Sequence, residues 1–205
     1  MHRFLIPAFL LPALALANTK GLNQIVTPDI QPTQLLSVSF QAEHQALGNY
    51  YQAQYEYGFT KNFEAAVYQG LKPGSFQLDA ELGLYAKGPW LVSTGFLNWG
   101  TQGSSTKPQS FLEGGFYKGQ WRLTAGAQRV SDRTLGLAGA AYQATPQLTL
   151  AADYLSGRDN YATIGFTVQT KDGSLSLNPA LYYANDDSKR LYPYAVLSYN
   201  VQLGK

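Results

Sequence analysis

The sequence predicts an all-β protein: a closed, antiparallel, up-and-down transmembrane β-barrel of about 12 strands. Three observations predict it. From Leu35 onward apolar residues recur with period two, the period of a strand whose faces meet different surroundings. Only 14% of the 205 residues are charged, against about 25% in an ordinary soluble domain. The acids keep to one strand face, and nearly all the basic residues lie in turns or at strand ends, Arg129 closing its strand. A strand content this high departs from the roughly one quarter found in globular domains, whereas a membrane barrel requires it.

The elements follow in order. Met1-His2-Arg3 is a short basic start, residues 4–17 are apolar, and Ala15-Leu16-Ala17 has the small-x-small pattern of a cleavage site. Residues 1–17 are therefore read as a secretory signal peptide. The apolar run contains Pro7 and Pro12 and falls short of the roughly 17 to 25 residues that a spanning helix needs. Residues 18–33, with Pro28 and Pro32 and no sustained period, form an N-terminal extension. Residues 34–205 are the barrel.

Within it the expected strands are 35–45, 50–59, 63–71, 76–87, 90–98, 109–118, 121–129, 134–143, 147–155, 161–169, 174–184 and 191–202. Leu36, Val38, Phe40 and Ala42 alternate with Ser37, Ser39, Gln41 and Glu43. Leu78, Ala80, Leu82, Leu84 and Ala86 alternate with Gln77, Asp79, Glu81, Gly83 and Tyr85. Trp121, Leu123, Ala125 and Ala127 alternate with Arg122, Thr124, Gly126 and Gln128, and Ala162, Ile164, Phe166 and Val168 with Thr163, Gly165, Thr167 and Gln169. Segments 63–71, 90–98 and 134–143 alternate less cleanly. The separators are turn chemistry: Lys61-Asn62, Lys72-Pro73-Gly74, Gly88-Pro89, Gly119-Gln120, Thr145-Pro146 and Asp172-Gly173. Residues 98–108 read as the longest connection.

Side-chain placement separates a barrel from a soluble sandwich. A Lys or Arg facing lipid near the midplane costs roughly 2 to 4 kcal/mol. Lys61, Lys72, Lys87, Lys107, Lys118, Arg133, Arg158, Lys171, Lys189 and Arg190 sit in turns or at strand ends, and Arg122 has polar parity inside a strand. The acids Glu43, Glu56, Glu64, Asp79, Glu81, Glu113 and Asp153 all share the polar parity of their strands. Aromatics gather in two sets, as membrane-interface girdles do. Phe59, Phe63, Trp90, Tyr117, Trp121 and Tyr142 lie beside one set of turns, and Tyr50, Tyr51, Trp99, Tyr154, Tyr161 and Tyr183 beside the other.

The hairpins Tyr57-Gly58-Phe59-Thr60-Lys61-Asn62-Phe63-Glu64 and Tyr142-Gln143-Ala144-Thr145-Pro146-Gln147-Leu148-Thr149-Leu150 resemble tight periplasmic turns of bacterial outer-membrane, porin-like β-barrel proteins. The lead-in Thr27-Pro28-Asp29-Ile30-Gln31-Pro32 is similar to theirs as well. The resemblance implies a bacterial outer-membrane location, a boundary of membrane lipid and insertion by barrel-assembly machinery. Many such proteins end in an aromatic residue that the machinery reads. This chain departs from that, ending Tyr199-Asn200-Val201-Gln202-Leu203-Gly204-Lys205 while keeping alternation at Leu197, Tyr199, Val201 and Leu203.

Chemistry beyond the barrel is sparse. The chain has no Cys, which removes thiolate zinc sites and Cys nucleophiles. A net charge of +2 does not describe a nucleic-acid-binding surface. His44 has the parity of Phe40 and Ala42, a rim position facing lipid and not a cleft. Asn185-Asp186-Asp187-Ser188 lacks the closing Glu of a calcium loop. The Gly-rich stretch 134–141 lacks a phosphate-loop Lys and reads as strand whose small residues permit curvature or close approach. No catalytic residue, metal site or cofactor is expected. The expected functional surface is a lumen lined by Glu43, Glu56, Glu64, Asp79, Glu81, Glu113 and Asp153 with Arg122 as its basic residue, passing small hydrophilic solutes or cations. The alternatives are a non-conducting structural or binding barrel, a membrane-embedded lipid hydrolase and a secreted soluble β-protein.

Overall fold

The computed structural model describes residues 21–72, 74–102 and 107–204. Residues 1–17, read as a signal peptide, lie outside the described residues. Twelve strands follow in chain order: β1 (Leu35–Glu43), β2 (Tyr51–Thr60), β3 (Phe63–Lys72), β4 (Gly74–Lys87), β5 (Trp90–Gln102), β6 (Gln109–Lys118), β7 (Trp121–Val130), β8 (Arg133–Thr145), β9 (Leu148–Leu155), β10 (Tyr161–Gln169), β11 (Leu175–Ala184) and β12 (Leu191–Gln202). Each pairs antiparallel with its neighbour in sequence. β1 closes the barrel on β12, with Leu35 opposite Gln202 and Glu43 opposite Tyr194. Closure pairs both edges, which a bilayer demands because it offers no water to an unpaired N–H or C=O.

The connections divide into two ends. One end, the terminal rim, holds the turns 61–62, 88–89, 119–120, 146–147 and 170–174 and both ends of the barrel. Gly88 and Gly119, each the first central residue of a two-residue turn, have φ of 61° and 62°, the conformation a tight hairpin asks of that position. The other end, the loop rim, carries the longer connections, including 44–50, 156–160 and 185–190.

Two irregularities have local causes. β5 runs on to Gln102, so much of the stretch expected as a long loop is strand. The strand continues through a bulge: the register slips opposite β4 between Leu78 and Ala80, Asn98 takes φ 59°, and its N–H is held by the Asp79 carboxylate at 2.6 Å. In β11, Pro179 has no N–H to offer β10. The register carries Phe166 past it, and the Phe166 carbonyl accepts instead from the Asn178 side chain at 3.0 Å.

The barrel is greasy outside and polar within. Phe40, Leu82, Leu112, Leu123, Leu150, Ile164, Leu177 and Leu197 are exposed on the outer surface, Ile164 to 64%. Ser37, Ser39, Gln54, Thr124, Asn178 and Ser198 are buried on the inner one, Ser198 to 1%. An aqueous protein has the reverse distribution, since exposed apolar patches beyond a few hundred Å² are rare. Outward rings pack beside the terminal-rim turns: Phe59 on Phe63, Trp90 on Phe116 and Trp121 on Tyr142, with centroids 5.7, 4.7 and 4.8 Å apart. Two expected girdle residues belong elsewhere. Tyr117 turns inward to donate to Asp29, and Tyr161 packs on Tyr182 inside the barrel. Strand β8 blurs the alternation for a physical reason: it buries Leu135, Leu137 and Ala141 inward and turns Gly136 and Ala138 outward. Those leucines have an apolar partner in the lumen.

Candidate functional site

That partner is the N-terminal extension. Residues 21–33 lie inside the barrel. Pro32 and Gln34 make the turn at the terminal rim: Leu35 N–H bonds Pro32 O at 3.0 Å, Gln34 N–H bonds Gly58 O at 2.7 Å, and Gln34 takes φ 64°. From there the segment climbs across the lumen toward the β8–β11 wall. Ile25, 3% exposed, packs with Leu22 against Leu135, Leu137 and Leu155.

Several expected lumen groups are engaged in holding this segment. Asp153 accepts the N–H groups of Asn23 and Gln24 at 2.7 and 3.0 Å and the Thr163 hydroxyl at 2.8 Å. The Asn23 side chain donates to Ala151 O and Thr163 Oγ1, and the Asn23 backbone carbonyl accepts from the Tyr182 hydroxyl. Glu64 accepts the Gln31 N–H. Asp29 receives the Tyr117 hydroxyl at 2.8 Å and lies 3.7 Å from the Arg122 guanidinium, which also sits 5.3 Å over the Tyr117 ring.

The structure places the other acids as follows. Glu56, Glu64, Asp79 and Glu81, from β2, β3 and β4, surround a cavity of about 30 Å³ together with Tyr68. Glu56 accepts from Gln54 at 3.2 Å, and Asp79 holds the β5 bulge. Glu43 stands apart at the loop rim, bonded by Gln41 at 3.0 Å. Glu113 is on β6, bonded by Ser93 at 3.3 Å. Four of the seven thus form one cluster and the other three do not join it. Arg122 is the one Lys or Arg among the described residues that is not exposed.

The free space is divided. A loop-side chamber of about 400 Å³ lies between residues 21–26 and the loop rim, and is lined by amides such as Gln52, Asn98 and Gln128, the rings of Tyr161, Tyr182 and Tyr194, and the carboxylates of Glu43 and Asp79. A second cavity of about 560 Å³ lies at the terminal rim between Asp29, Ile30 and β4. The small acidic cavity lies against the β2–β4 wall, with Val26 of the segment and Leu97 of β5 among its lining.

Outside the lumen, His44 is exposed at the rim and packs on Tyr192 with centroids 4.9 Å apart. In the 185–190 loop, Asp186 accepts the Ser188 N–H at 2.9 Å and Asp187 pairs with Arg158. Both turn carboxylates Asp172 and Asp186 are held below the usual aspartate range, first by hydroxyl hydrogen bonds from Thr170 and Ser188 respectively.

Sequence reasoning left the role of the extension open. Its signal was present in the inward-parity glycines Gly58, Gly83, Gly115, Gly139 and Gly165, which leave room on the inner wall where side chains would otherwise stand.

No family model and no curated protein matches the chain. Solved structures do. The NanC porin superposes with a TM-score of 0.52 at 10% identity, and the KdgM porin with 0.56 at 10%. The KdgM porin in complex with disordered oligogalacturonate superposes with 0.57 at 12%. Each comparison covers 80% of this chain and 98% of the other. At such identity the likeness is one of fold, and by fold the chain is a twelve-strand, porin-like β-barrel.

Proposed function

We propose that this chain is a bacterial outer-membrane channel of narrow bore that passes small hydrophilic solutes and favours cations over anions. The observation that carries the reading is the charge of the inner wall: it carries seven acids, and its one cation among the described residues, Arg122, pairs with Asp29 at 3.7 Å. Charged groups in a confined lumen set selectivity through the field they create. The apolar outer surface supports a lipid boundary, with the terminal rim periplasmic and the longer loops outside. A polyanion such as the oligogalacturonate of the KdgM complex would meet repulsion here, so the solute class differs from that one. The reading includes no enzymatic step.

Single-channel recording in planar bilayers across a KCl gradient tests it. The expected reversal potential has the sign of cation selectivity, and it moves toward zero when Glu56, Asp79 and Glu81 are changed together to their amides. Anion selectivity, or electrically silent bilayers containing a heat-modifiable folded barrel, would refute it. The division of the free space into separate cavities favours one second reading: a closed barrel whose loop-side chamber binds a small polar ligand without passing it. That reading predicts the silent result.

A further inference from the structure

Five lumen-facing glycines, on five different strands, line up beneath the N-terminal segment. A Cβ built on Gly58 would come within 3.0 Å of Pro32 and Gln31 carbonyls, on Gly115 within that distance of Pro28, and on Gly139 of Leu22. On Gly165 it would meet Asn23, and on Gly83 it would stand 3.0 Å from Ile30. Glycine weakens a strand interior because it adds backbone entropy and packs nothing, and its use there marks close approach of another backbone. Here the approaching chain is residues 22–32, by its backbone at Gly58 and by its side chains at the other four glycines. Carboxylates anchor it at both ends, Asp153 on the amides of Asn23 and Gln24 and Glu64 on that of Gln31. Midway, Asp29 is held by Tyr117 and Arg122. Ile25 fills an apolar socket on the β8–β9 wall.

We propose that residues 21–33 are a permanent inner strap, seated in a track of glycines, and that this strap sets the bore of the barrel. Carboxylates that read in the sequence as part of a field for ions are in part a peptide-binding device, taking the backbone N–H groups of an extended segment. An extended chain occupies roughly 50 Å² in cross-section, from an interstrand spacing of about 4.8 Å and a sheet spacing of about 10 Å. Twelve strands about 4.8 Å apart and tilted about 40° make a barrel of about 12 Å radius, and side chains reaching about 6 Å inward leave a lumen on the order of 100 Å². Releasing the strap therefore raises conductance about two-fold.

The strap's location does not depend on conduction, and its effect on the bore rests on the channel reading, so two measurements keep them apart. The chain has no Cys, so Asn23→Cys with Thr163→Cys, whose side chains hydrogen-bond at 3.0 Å, reports position in the full-length protein. Mild oxidation of isolated outer membranes is expected to join residue 23 to residue 163, read by mass spectrometry of the linked peptides. Asn23→Cys with Ser75→Cys is expected to stay unlinked. A heat-modifiable barrel without the 23–163 link overturns the strap. For the bore, Leu22→Asp with Ile25→Asp places two charges in the apolar socket beside Asp153 without altering the barrel wall. The expected result is about two-fold greater single-channel conductance, and Gly115→Val, which disturbs the segment from the wall side, gives a rise as well. Folded variants with unchanged conductance overturn the claim that the strap sets the bore. Silence of wild type and variants alike, with the 23–163 link formed, overturns the channel reading and leaves the strap's location standing.

Discussion

Replacing Asp153 by Ala tests the anchoring of the strap most directly. The carboxylate accepts two backbone N–H groups, from Asn23 and Gln24, and the Thr163 hydroxyl, at 2.7, 3.0 and 2.8 Å. Hydrogen bonds to a charged group contribute about 1.5 to 3 kcal/mol each. The two amides alone would place the loss at about 3 to 6 kcal/mol, and the lower figure applies because the adjoining chamber admits water to the orphaned N–H groups. A loss of about 3 kcal/mol in local opening is a factor on the order of one hundred in exchange rate, at 1.36 kcal/mol per decade. Hydrogen exchange read by mass spectrometry should show that factor at residues 22–26 in detergent or vesicles. The strand amides should stay protected, because no ladder hydrogen bond is removed. Asp153→Asn keeps one acceptor oxygen without the charge and should fall between the two. Unchanged exchange of the strap in a folded Asp153→Ala barrel would refute the argument.

The remaining predictions concern the wall. Asn178→Leu leaves the Phe166 carbonyl facing a proline with no donor, and should destabilise the barrel by about 1 to 3 kcal/mol in vesicle unfolding titrations. Ile164→Arg puts a charge on the lipid face and should cost about 2 to 4 kcal/mol in the same assay if it lies near the midplane; free tolerance of this change would count against a lipid boundary. Tyr117→Phe removes the hydroxyl donor to Asp29 while leaving the ring under Arg122. It should raise exchange at Asp29 and Ile30 by roughly tenfold, a loss of about 1.5 kcal/mol for one hydrogen bond to a partly exposed carboxylate.

Strand positions were largely legible because a membrane barrel imposes one rule everywhere. Segments 109–118, 161–169 and 191–202 have the same bounds in sequence and structure. The rule fails where a strand meets something other than lipid on one side and water on the other. β8 is such a place: Leu135 and Leu137 face inward because Ile25 and Leu22 are there to cover them, and period two alone carries no sign of which apolar set has a partner. Tyr117 and Tyr161 depart from the girdles for a related reason. Their position near turns is that of a girdle residue, while their parity, shared with Glu113 and Thr163, is that of the lumen. Parity was the better guide. The β5 bulge escaped because it depends on a long-range bond, Asn98 to Asp79, that no local pattern records.

The strap also bears on why twelve strands suffice for a controlled interior. Eight-stranded barrels are filled by their own side chains and sixteen-stranded ones hold open water. Between these sizes, side chains alone either leave gaps or must grow large, and large polar side chains carry a high entropic cost when fixed. A peptide laid along the wall fills the difference with backbone, provided its N–H groups find acceptors. That proviso accounts for Asp153 and Glu64 in one stroke, and it accounts for glycine where a barrel wall would ordinarily place a packing side chain. Glu56, Asp79 and Glu81 share the small cavity on the β2–β4 wall, where Glu56 accepts from Gln54 and Asp79 from the Asn98 N–H. On the channel reading these are the groups whose charge a passing ion would meet, and that reading gives anchoring and selectivity to different carboxylates of one lumen, separable by substitution.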